Sequence, residues 1–455
     1  MTRAINRRQF IKAAGLGTTF LVVPGCLNAT RQPSGPSAGR RPNIVLILAD
    51  DLGHECLGCY GGTSYKTPVL DELARTGMRF EHCYSQPLCT PSRVQLMTGK
   101  YNIRNYTVFG SLDPKEITFG HVLKKSGYAT CIAGKWQLYG GGDGTHPAQA
   151  GFDEYCLWQV KDRGSRYADP TVLENGTLRE DIKGKYGPDI FCDFIASFIE
   201  RHRSRPFFVY YPMALTHGPF EPTPDSNEWR QDNPAVRRAG KPKADKKFFA
   251  DMVVYMDKIV GRIAAKLDEL GLRENTLILF TGDNGTARGL TSKKGSVTIE
   301  GGKGFTTDAG THAPLVANWK GTIPAGKVCD DLVDFSDFLP TLVEAAGAKL
   351  DAGTVIDGRS FLPQLRGQKG HPREWTYCYY EPRMKGEKWG LKIFARDKRY
   401  KLYHTSELFD VQTDPLEASP IDANSAGPQA VKARGCLQAV LDSMKRNAAP
   451  SKTAG

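Results

Sequence analysis

Four short polar clusters stand directly behind apolar runs, and their residue types suit one another chemically. Asp50 and Asp51 follow Asn43 to Ala49 (NIVLILA), and Lys135 follows the run ending at Ala133. His217 follows Pro206 to Met213 (PFFVYYPM), and Asp283 with Asn284 follows Thr276 to Thr281. Asp50, Asp51, Asp283 and Asn284 are hard oxygen donors, a set suited to calcium or magnesium rather than to zinc or copper. Calcium accepts roughly 6–8 oxygens in loose geometry and leaves room for substrate oxygens and a nucleophile; magnesium is the second choice. Each cluster alone has a plain explanation, because Asp and Asn favour turns and a lysine at a strand end is commonly solvated. Their recurrence behind four strands, with Gly53, Gly134, Gly282 and Gly285 permitting tight turns, points to a site. Cys89 opens a helical stretch in Cys89-Thr90-Pro91-Ser92-Arg93. A thiol there could be activated, but carboxylates and a hard cation are poor company for so soft a nucleophile.

To bring those clusters together, the chain must line up several strand ends along one edge. From Asn43 onward, apolar runs alternate with amphipathic segments, the pattern of a parallel sheet covered by helices. The run from Asn43 suits a central strand buried on both faces. Thr67 and Pro68 supply a cap and first position for a helix closed by Gly77. Further helices are expected over Glu116 to Lys125, Asp189 to Arg203, Lys246 to Leu270 and Asp334 to Ala346, with strands at Tyr128 to Ala133 and Leu315 to Trp319. In open parallel sheets, ligands bind outside the carboxyl ends of strands, which is where the polar clusters fall. Past about residue 365 come short strand-like pieces, Trp375 to Tyr380, Leu391 to Arg396 and Tyr400 to His404, before a helix over Ala430 to Arg446. The expected fold is α/β: a large mixed, mostly parallel sheet sandwiched by helices, with a smaller C-terminal α+β domain carrying a short antiparallel sheet. The expected division is an export signal at 1–25, a tether at 26–40, a catalytic domain at 41–365 and a C-terminal subdomain at 366–447.

The N-terminus is an address rather than part of the fold. Asn6-Arg7-Arg8-Gln9-Phe10-Ile11-Lys12 precedes a modest apolar stretch from Ala13 to Val23 and resembles a twin-arginine export signal. It implies the twin-arginine export machinery as a partner and a periplasmic or cell-surface location in a bacterium. Val23-Pro24-Gly25-Cys26 resembles a lipoprotein cleavage box, although Pro24 is atypical; a lipid anchor at Cys26 and simple cleavage stand as alternatives. After residue 30 no apolar run approaches the roughly 20 residues that span a bilayer. The formal charge is +12, yet Lys and Arg are spread along the chain rather than striped with aromatics, so no nucleic acid partner is expected. An anionic small molecule or polysaccharide suits a diffuse positive field, as does an ordinary solvated basic surface. The eleven cysteines are irregularly spaced, leaving buried thiols and a few disulfides both open; the CxxC of Cys56 and Cys59 is read as structural.

The motifs resemble those of a known family. Cys89 to Arg93 is similar to the C-x-P-S-R maturation signature of type I, formylglycine-dependent sulfatases, arylsulfatase-like enzymes with the alkaline phosphatase superfamily fold, and Met97-Thr98-Gly99-Lys100 continues it. Asp50-Asp51-Leu52-Gly53 resembles the first metal motif of that family, Gly134-Lys135-Trp136 its second signature and Thr216-His217-Gly218-Pro219 its histidine motif. Gly282-Asp283-Asn284-Gly285 resembles the second metal motif, Gly301-Gly302-Lys303-Gly304 the second lysine motif, and Glu407-Leu408-Phe409-Asp410 with Asp414-Pro415 the C-terminal hallmark. One such motif could arise by chance; seven in family order could hardly do so. The resemblance implies hydrolysis of a sulfate ester; export from a bacterium with a glycan-degrading lifestyle would make that ester a carbohydrate sulfate, as in polysaccharide degradation. It also implies a formylglycine-generating maturation enzyme that oxidises Cys89, and a calcium ion held by Asp50, Asp51, modified Cys89, Asp283 and Asn284. The hydrated aldehyde would attack sulfur and displace the alcohol, and its second hydroxyl would then expel sulfate. Arg93, Lys135 and Lys303 would offset charge on the sulfuryl oxygens, and His217 would protonate the departing alcohol.

One residue departs from the pattern. Gln137 stands where the family commonly has histidine, and glutamine holds a hydrogen bond but takes no proton at neutral pH. Expulsion of sulfate then falls to another base, such as a carboxylate at the metal, or turnover is slow. His312, near where relatives often carry arginine, is read as structural. Two alternatives compete: a phosphatase or phosphodiesterase of the same fold, weakened by the lack of histidines at two-metal spacing, and a non-catalytic binder of sulfated glycan, motivated by Gln137. Loops 140–150, 222–245 and 381–389, with Arg383, Lys385 and Trp389, are where sugar contacts or plain solvated turns are expected.

Overall fold

The protein is described by a computed structural model over residues 40–138, 143–161, 163–229, 244–383 and 390–447. The segment expected to be an export signal, Cys26, the expected tether up to residue 39, and Lys385 and Trp389 lie outside the described residues.

A central sheet positions everything else. Its strands are β1 (Asn43–Ala49), β2 (Met78–Tyr84), β3 (Ala129–Lys135), β4 (Glu154–Trp158), β5 (Leu173–Glu174), β6 (Thr177–Leu178), β7 (Phe207–Pro212) and β8 (Thr276–Gly282). After a small hairpin of β9 (Thr291–Lys294) and β10 (Val297–Glu300), β11 (His312–Asn318) and β12 (Lys327–Asp334) complete it. The order is β12-β2-β11-β8-β1-β7-β3-β4-β5-β6. β8, β1, β7, β3 and β4 are mutually parallel, β12 and β2 share their direction, and β11 runs against them between β8 and β2. The mixed, mostly parallel sheet expected from the sequence is thus present. A second, antiparallel sheet follows in the order β13 (Thr376–Tyr380), β14 (Lys392–Arg396), β15 (Tyr400–Tyr403) and β16 (Leu408–Asp410).

β1 shows why an apolar run becomes a central strand. With a side-chain period of two, Val45 and Ile47 enter one core while Ile44, Leu46 and Leu48 enter the other. Helices Gly187–Arg201 and Phe248–Glu269 cover the first face; Cys89–Thr98, Phe119–Lys125 and Phe338–Ala345 cover the second. Among the described residues no helix is long and apolar enough to cross a membrane. All ten described cysteines are free thiols.

Several elements differ from expectation, each for a local reason. β2 (MRFEHCY) and β12 (KVCDDLVD) lie toward one edge of the sheet and carry charges on partly exposed positions, so neither reads as an apolar run. The helix expected from Asp334 starts later: Asp334 caps the 3-10 turn Phe335–Asp337, accepting from Ser336 N at 2.9 Å, and the α-helix begins at Phe338. β11 begins at His312 rather than Leu315, and Lys135 is the last residue of β3 rather than one beyond it.

The C-terminal sheet grips a loop of the main body. Buried Lys401 on β15 pairs with Glu417 at 2.7 Å and also donates to Thr306 O, while Tyr403 Oη donates to Thr306 Oγ1 at 2.8 Å. Arg396 on β14 pairs with Asp308 and lies 4.0 Å over the Tyr84 ring. These contacts tie down residues 306–308, just past Lys303.

Candidate active site

Six segments deliver the anticipated side chains to one edge of the central sheet: the ends of β1, β3, β7 and β8, the helix that follows β2, and the loop after β10. Because β12, β2, β8, β1, β7, β3 and β4 point the same way, their carboxyl ends share that edge; β11 runs oppositely, so the segment entering it arrives there too. Ala49 pairs with Gly282, so Asp50 and Asp283 leave adjacent strands side by side, roughly 4.8 Å apart in the sheet direction. Asp283 N donates to Ala49 O at 2.9 Å and Asp50 N to Leu215 O at 2.8 Å, which ties the ends of β8, β1 and β7 together. Glycine is required at two crossings. A Cβ on Gly134, whose φ is +117°, would lie 2.1 Å from Pro212 O, and one on Gly282 would lie 2.1 Å from Leu52 O.

Cys89 is the first residue of the helix Cys89–Thr98, and Arg93 is one turn later on the same face. Ser92 holds the turn: its Oγ donates to Leu88 O (2.8 Å) and accepts from Gln86 N (3.1 Å). Arg93 reaches Asp283 Oδ2 through Nε at 3.1 Å and Nη2 at 3.0 Å, and Lys135 O through Nη1 at 3.1 Å. Lys135 Nζ donates to Asp50 Oδ2 at 2.7 Å and Lys303 Nζ to Asp51 Oδ2 at 2.6 Å. His217 Nε2 lies 3.6 Å from Asp51 Oδ2, and Cys89 Sγ donates to Gln137 Oε1 at 3.2 Å. Every site residue anticipated from the sequence therefore falls into one assembly. Its floor, made of Asp50, Asp51, Cys89, Arg93, Lys135, Asp283 and Asn284, is fully buried, while Gln137, His217 and Lys303 form a half-buried rim. Asp51 (φ 60°) and Gln137 (φ 51°) hold left-handed backbone, conformations that cluster where a fold serves a site.

The electrostatics separate the carboxylates. Burial would raise Asp50, but Lys135 foremost, then His217, Arg93 and Lys303, hold it well below the usual range. Asp283 goes the other way, pushed up to about 7 by burial and by the Asp50 carboxylate beside it, despite Arg93. Burial lowers His217 to about 4 and raises the Cys89 thiol, so Cys89 as a plain thiol is a poor nucleophile at neutral pH.

The donor set fits a hard cation. Asp50 Oδ1 and Asn284 Oδ1 are buried without a hydrogen-bond partner, an arrangement that costs free energy unless something positive faces them. One ligand atom each from Asp50, Asp283 and Cys89 lies within 4.8 Å of the others, as does one each from Asp50, Asp51 and His217. Crowding of Asp50 and Asp283 is likewise what a cation relieves.

The general sulfatase family model matches residues 42–348, and the model described as N-sulphoglucosamine sulphohydrolase, C-terminal, matches 302–444. The chain belongs to the sulfatase family. Human arylsulfatase A is 33% identical over 407 residues, covering 81% of this chain and 76% of that protein. N-acetylgalactosamine-6-sulfatase of Canis lupus familiaris is 33% identical over 366 residues, covering 72% and 67%. Among solved structures, Ps i-CgsB in complex with k-i-k-neocarrahexaose superposes with a TM-score of 0.72 at 25% identity, covering 90% of this chain and 93% of that one. At 20% identity and a TM-score of 0.65, a phosphonate monoester hydrolase of Agrobacterium radiobacter shares the fold alone, covering 90% of this chain and 96% of that one. This sulfatase hydrolyses sulfuric esters, and its family generally works with a metal ion and formylglycine.

Sequence reasoning missed Arg166, which follows β4 in a loop with no motif around it. Its Nη1 meets His217 Nδ1 at 2.8 Å and its guanidinium lies 4.1 Å over the Trp158 ring. Only a prediction of β4 itself could have placed it. Of the loop residues suspected of sugar contact, Arg383 pairs with Glu381 at 2.7 Å and donates to Thr107 O at 2.9 Å. His312 Nε2 donates to Glu81 O at 2.7 Å, and its ring stacks on His54 with centroids 4.1 Å apart.

Glu221, near Arg166, is buried with Oε2 unpartnered, and burial raises it from the ordinary 4.5 to about 7, opposed by Arg166. Between those values the folded state binds the extra proton, so stability falls as pH rises through that window and stays lower above it. Glu221→Gln is expected to remove that loss, about 3 kcal/mol at pH 8. Urea unfolding at pH 5 and pH 8 checks it: a variant whose stability changes with pH as the parent's does refutes the assignment.

Proposed function

We propose that this sulfatase is an exported bacterial carbohydrate sulfatase that uses Cys89, oxidised to formylglycine by a maturation enzyme, and a calcium ion. The observation that carries the reading is the meeting of Cys89, one turn from Arg93, with four oxygen donors from the ends of β1 and β8. Asp50, Asp51, Asp283 and Asn284, with the modified side chain at 89, would hold the ion, which when bound supplies a fixed positive charge that polarises a sulfuryl oxygen. Formylglycine in its hydrated form supplies one hydroxyl to attack sulfur and a second through which sulfate leaves.

The chain's own residues do the rest. Arg93 is held by Asp283 and Lys135 O, so its position is set before substrate arrives. Lys135 at the end of β3 and Lys303 in the loop after β10 present ammonium groups to the sulfuryl oxygens. His217 turns Nε2 inward, where it can donate a hydrogen bond to the bridging ester oxygen as negative charge builds there. Gln137, already hydrogen-bonded to residue 89, orients that side chain without taking a proton. For the substrate class, support comes from relatives and neighbours whose names specify sulfated sugars, including a glucosamine disulfate bound to a structure sharing this fold at a TM-score of 0.73 and 21% identity, covering 91% of this chain and all of that one. The twin arginines Arg7 and Arg8 and the box ending at Cys26 support export, with lipid attachment as the variant form.

Mass spectrometry of the peptide holding residue 89, after co-expression with a formylglycine-generating enzyme, tests the central step. Oxygen should replace the sulfur and two hydrogens of Cys89, and the matured protein should cleave an aryl or carbohydrate sulfate in preference to the matching phosphate. Full activity with an unmodified thiol, or preference for phosphate, overturns the reading.

A further inference from the structure

We infer that Arg166 is a positioning residue that sets which nitrogen of His217 carries the proton. The inference rests on the reading of His217 as donor to the departing oxygen. His217 Nδ1 lies between a donor and an acceptor, Arg166 Nη1 at 2.8 Å and Gly218 O at 2.5 Å. The two contacts demand different rings. Gly218 O can only accept, so it favours the tautomer with the proton on Nδ1 and leaves Nε2 bare. A guanidinium can only donate, so its contact makes Nδ1 the acceptor and puts the proton on Nε2, the nitrogen that faces the sulfatase floor 3.6 Å from Asp51. Without Arg166 the neighbouring carbonyl wins and His217 turns a lone pair toward the ester.

Arg166 is built to keep that contact. It is 5% exposed, and its guanidinium is flattened against Trp158 at the end of β4. Trp158 O accepts from Trp136 N at 3.0 Å, directly after Lys135, so the platform is continuous with the floor. The next residue secures the backbone of the same histidine: Tyr167 Oη donates to Ala214 O at 2.8 Å and to His217 O at 2.5 Å. Ring and main chain of His217 are thus held by consecutive residues of one loop. A neutral imidazole with its proton on Nε2 can donate a hydrogen bond to the bridging oxygen as negative charge builds there, and a fixed tautomer has that donor in place in every encounter.

The test is the dependence of rate on leaving group, measured on the matured, metal-loaded enzyme with a series of substituted phenyl sulfates of equal size. Esters of acidic phenols need little help at the bridging oxygen; esters of weakly acidic phenols need it fully. Arg166→Met should lower kcat by on the order of 10²-fold for the least acidic phenol and only a few-fold for the most acidic, with KM unchanged. Arg166→Lys, which keeps a donor but loses the flat stack on Trp158, should fall between, and covers the case in which Arg166→Met does not fold. Nitrogen-15 spectra of the histidines, with the His217 signals assigned by their loss in His217→Ala, should report the Nε2–H tautomer in the parent and a shift toward Nδ1–H in the Arg166 variants. An equal loss across the series, a rise in KM alone, or an unchanged tautomer overturns the positioning role while leaving the His217 reading intact. Should His217→Ala itself not steepen the series, the donor role of His217 fails first, and the role of Arg166 with it.

Discussion

Cys89→Ala is expected to lower kcat/KM for sulfate esters by roughly 10⁴–10⁶-fold, the loss typical of removing a covalent nucleophile, while leaving the melting temperature close to that of the parent. The two effects separate because Cys89 is a small side chain at a helix start whose position is set by neighbours, chiefly the Ser92 turn and the packing of Leu88 against the C-terminal sheet. Cys89→Ser sharpens the point. A serine hydroxyl can attack sulfur and release the alcohol, but it has no second hydroxyl through which to expel sulfate. It should therefore release at most one equivalent of alcohol per protein and stop. Counting alcohol released against protein present decides it: sustained turnover by the serine variant would mean that residue 89 needs only one oxygen, contrary to the formylglycine mechanism.

The second large effect is the loss of the cation. Chelation of calcium is expected to abolish turnover and to lower stability, and calcium, more than magnesium, to restore both; at a free concentration about 1,000 times the dissociation constant the gain is about 4 kcal/mol. The physical ground is the crowding of buried Asp50, Asp51 and Asp283, with Asp50 Oδ1 and Asn284 Oδ1 lacking hydrogen-bond partners. Lys135→Met makes the prediction specific. Lys135 and Asp50 form a fully buried pair at 2.7 Å, and removing one partner of such a pair costs about 3–5 kcal/mol. With chelator present the variant should show that full cost. With calcium present much of it should disappear, because the ion also neutralises Asp50. Thermal unfolding of parent and variant in both conditions gives the comparison, and an equal cost in both would place no cation at Asp50.

The same buried charges explain why so much of the site could be read without coordinates. Asp50, Asp51, Lys135, His217, Asp283 and Asn284 are polar residues at the ends of apolar runs, and a parallel sheet turns that one-dimensional pattern into a shared edge. Their types alone then restrict the chemistry to a hard cation and an anionic ester. Cys89 and Arg93 were legible for a different reason, their match to the C-x-P-S-R signature of the family.

What lay outside the sequence was decided by contacts between distant segments. β2 and β12 are held by pairing with each other and, through β2, with β11, so their charged, alternating residues give no apolar signal. Lys303 is steadied through Thr306 and Asp308 by Lys401, Tyr403 and Arg396 from a sheet about 90 residues later, a dependence no local motif encodes. Arg166 meets His217 across 51 residues of chain, in a loop whose composition is unremarkable. Local composition and periodicity specify what a strand end carries, because burial and backbone geometry act on neighbours in the chain. Which unpatterned side chain comes to rest against a catalytic histidine is settled only when separate strands have packed, because that contact exists in space and nowhere along the sequence.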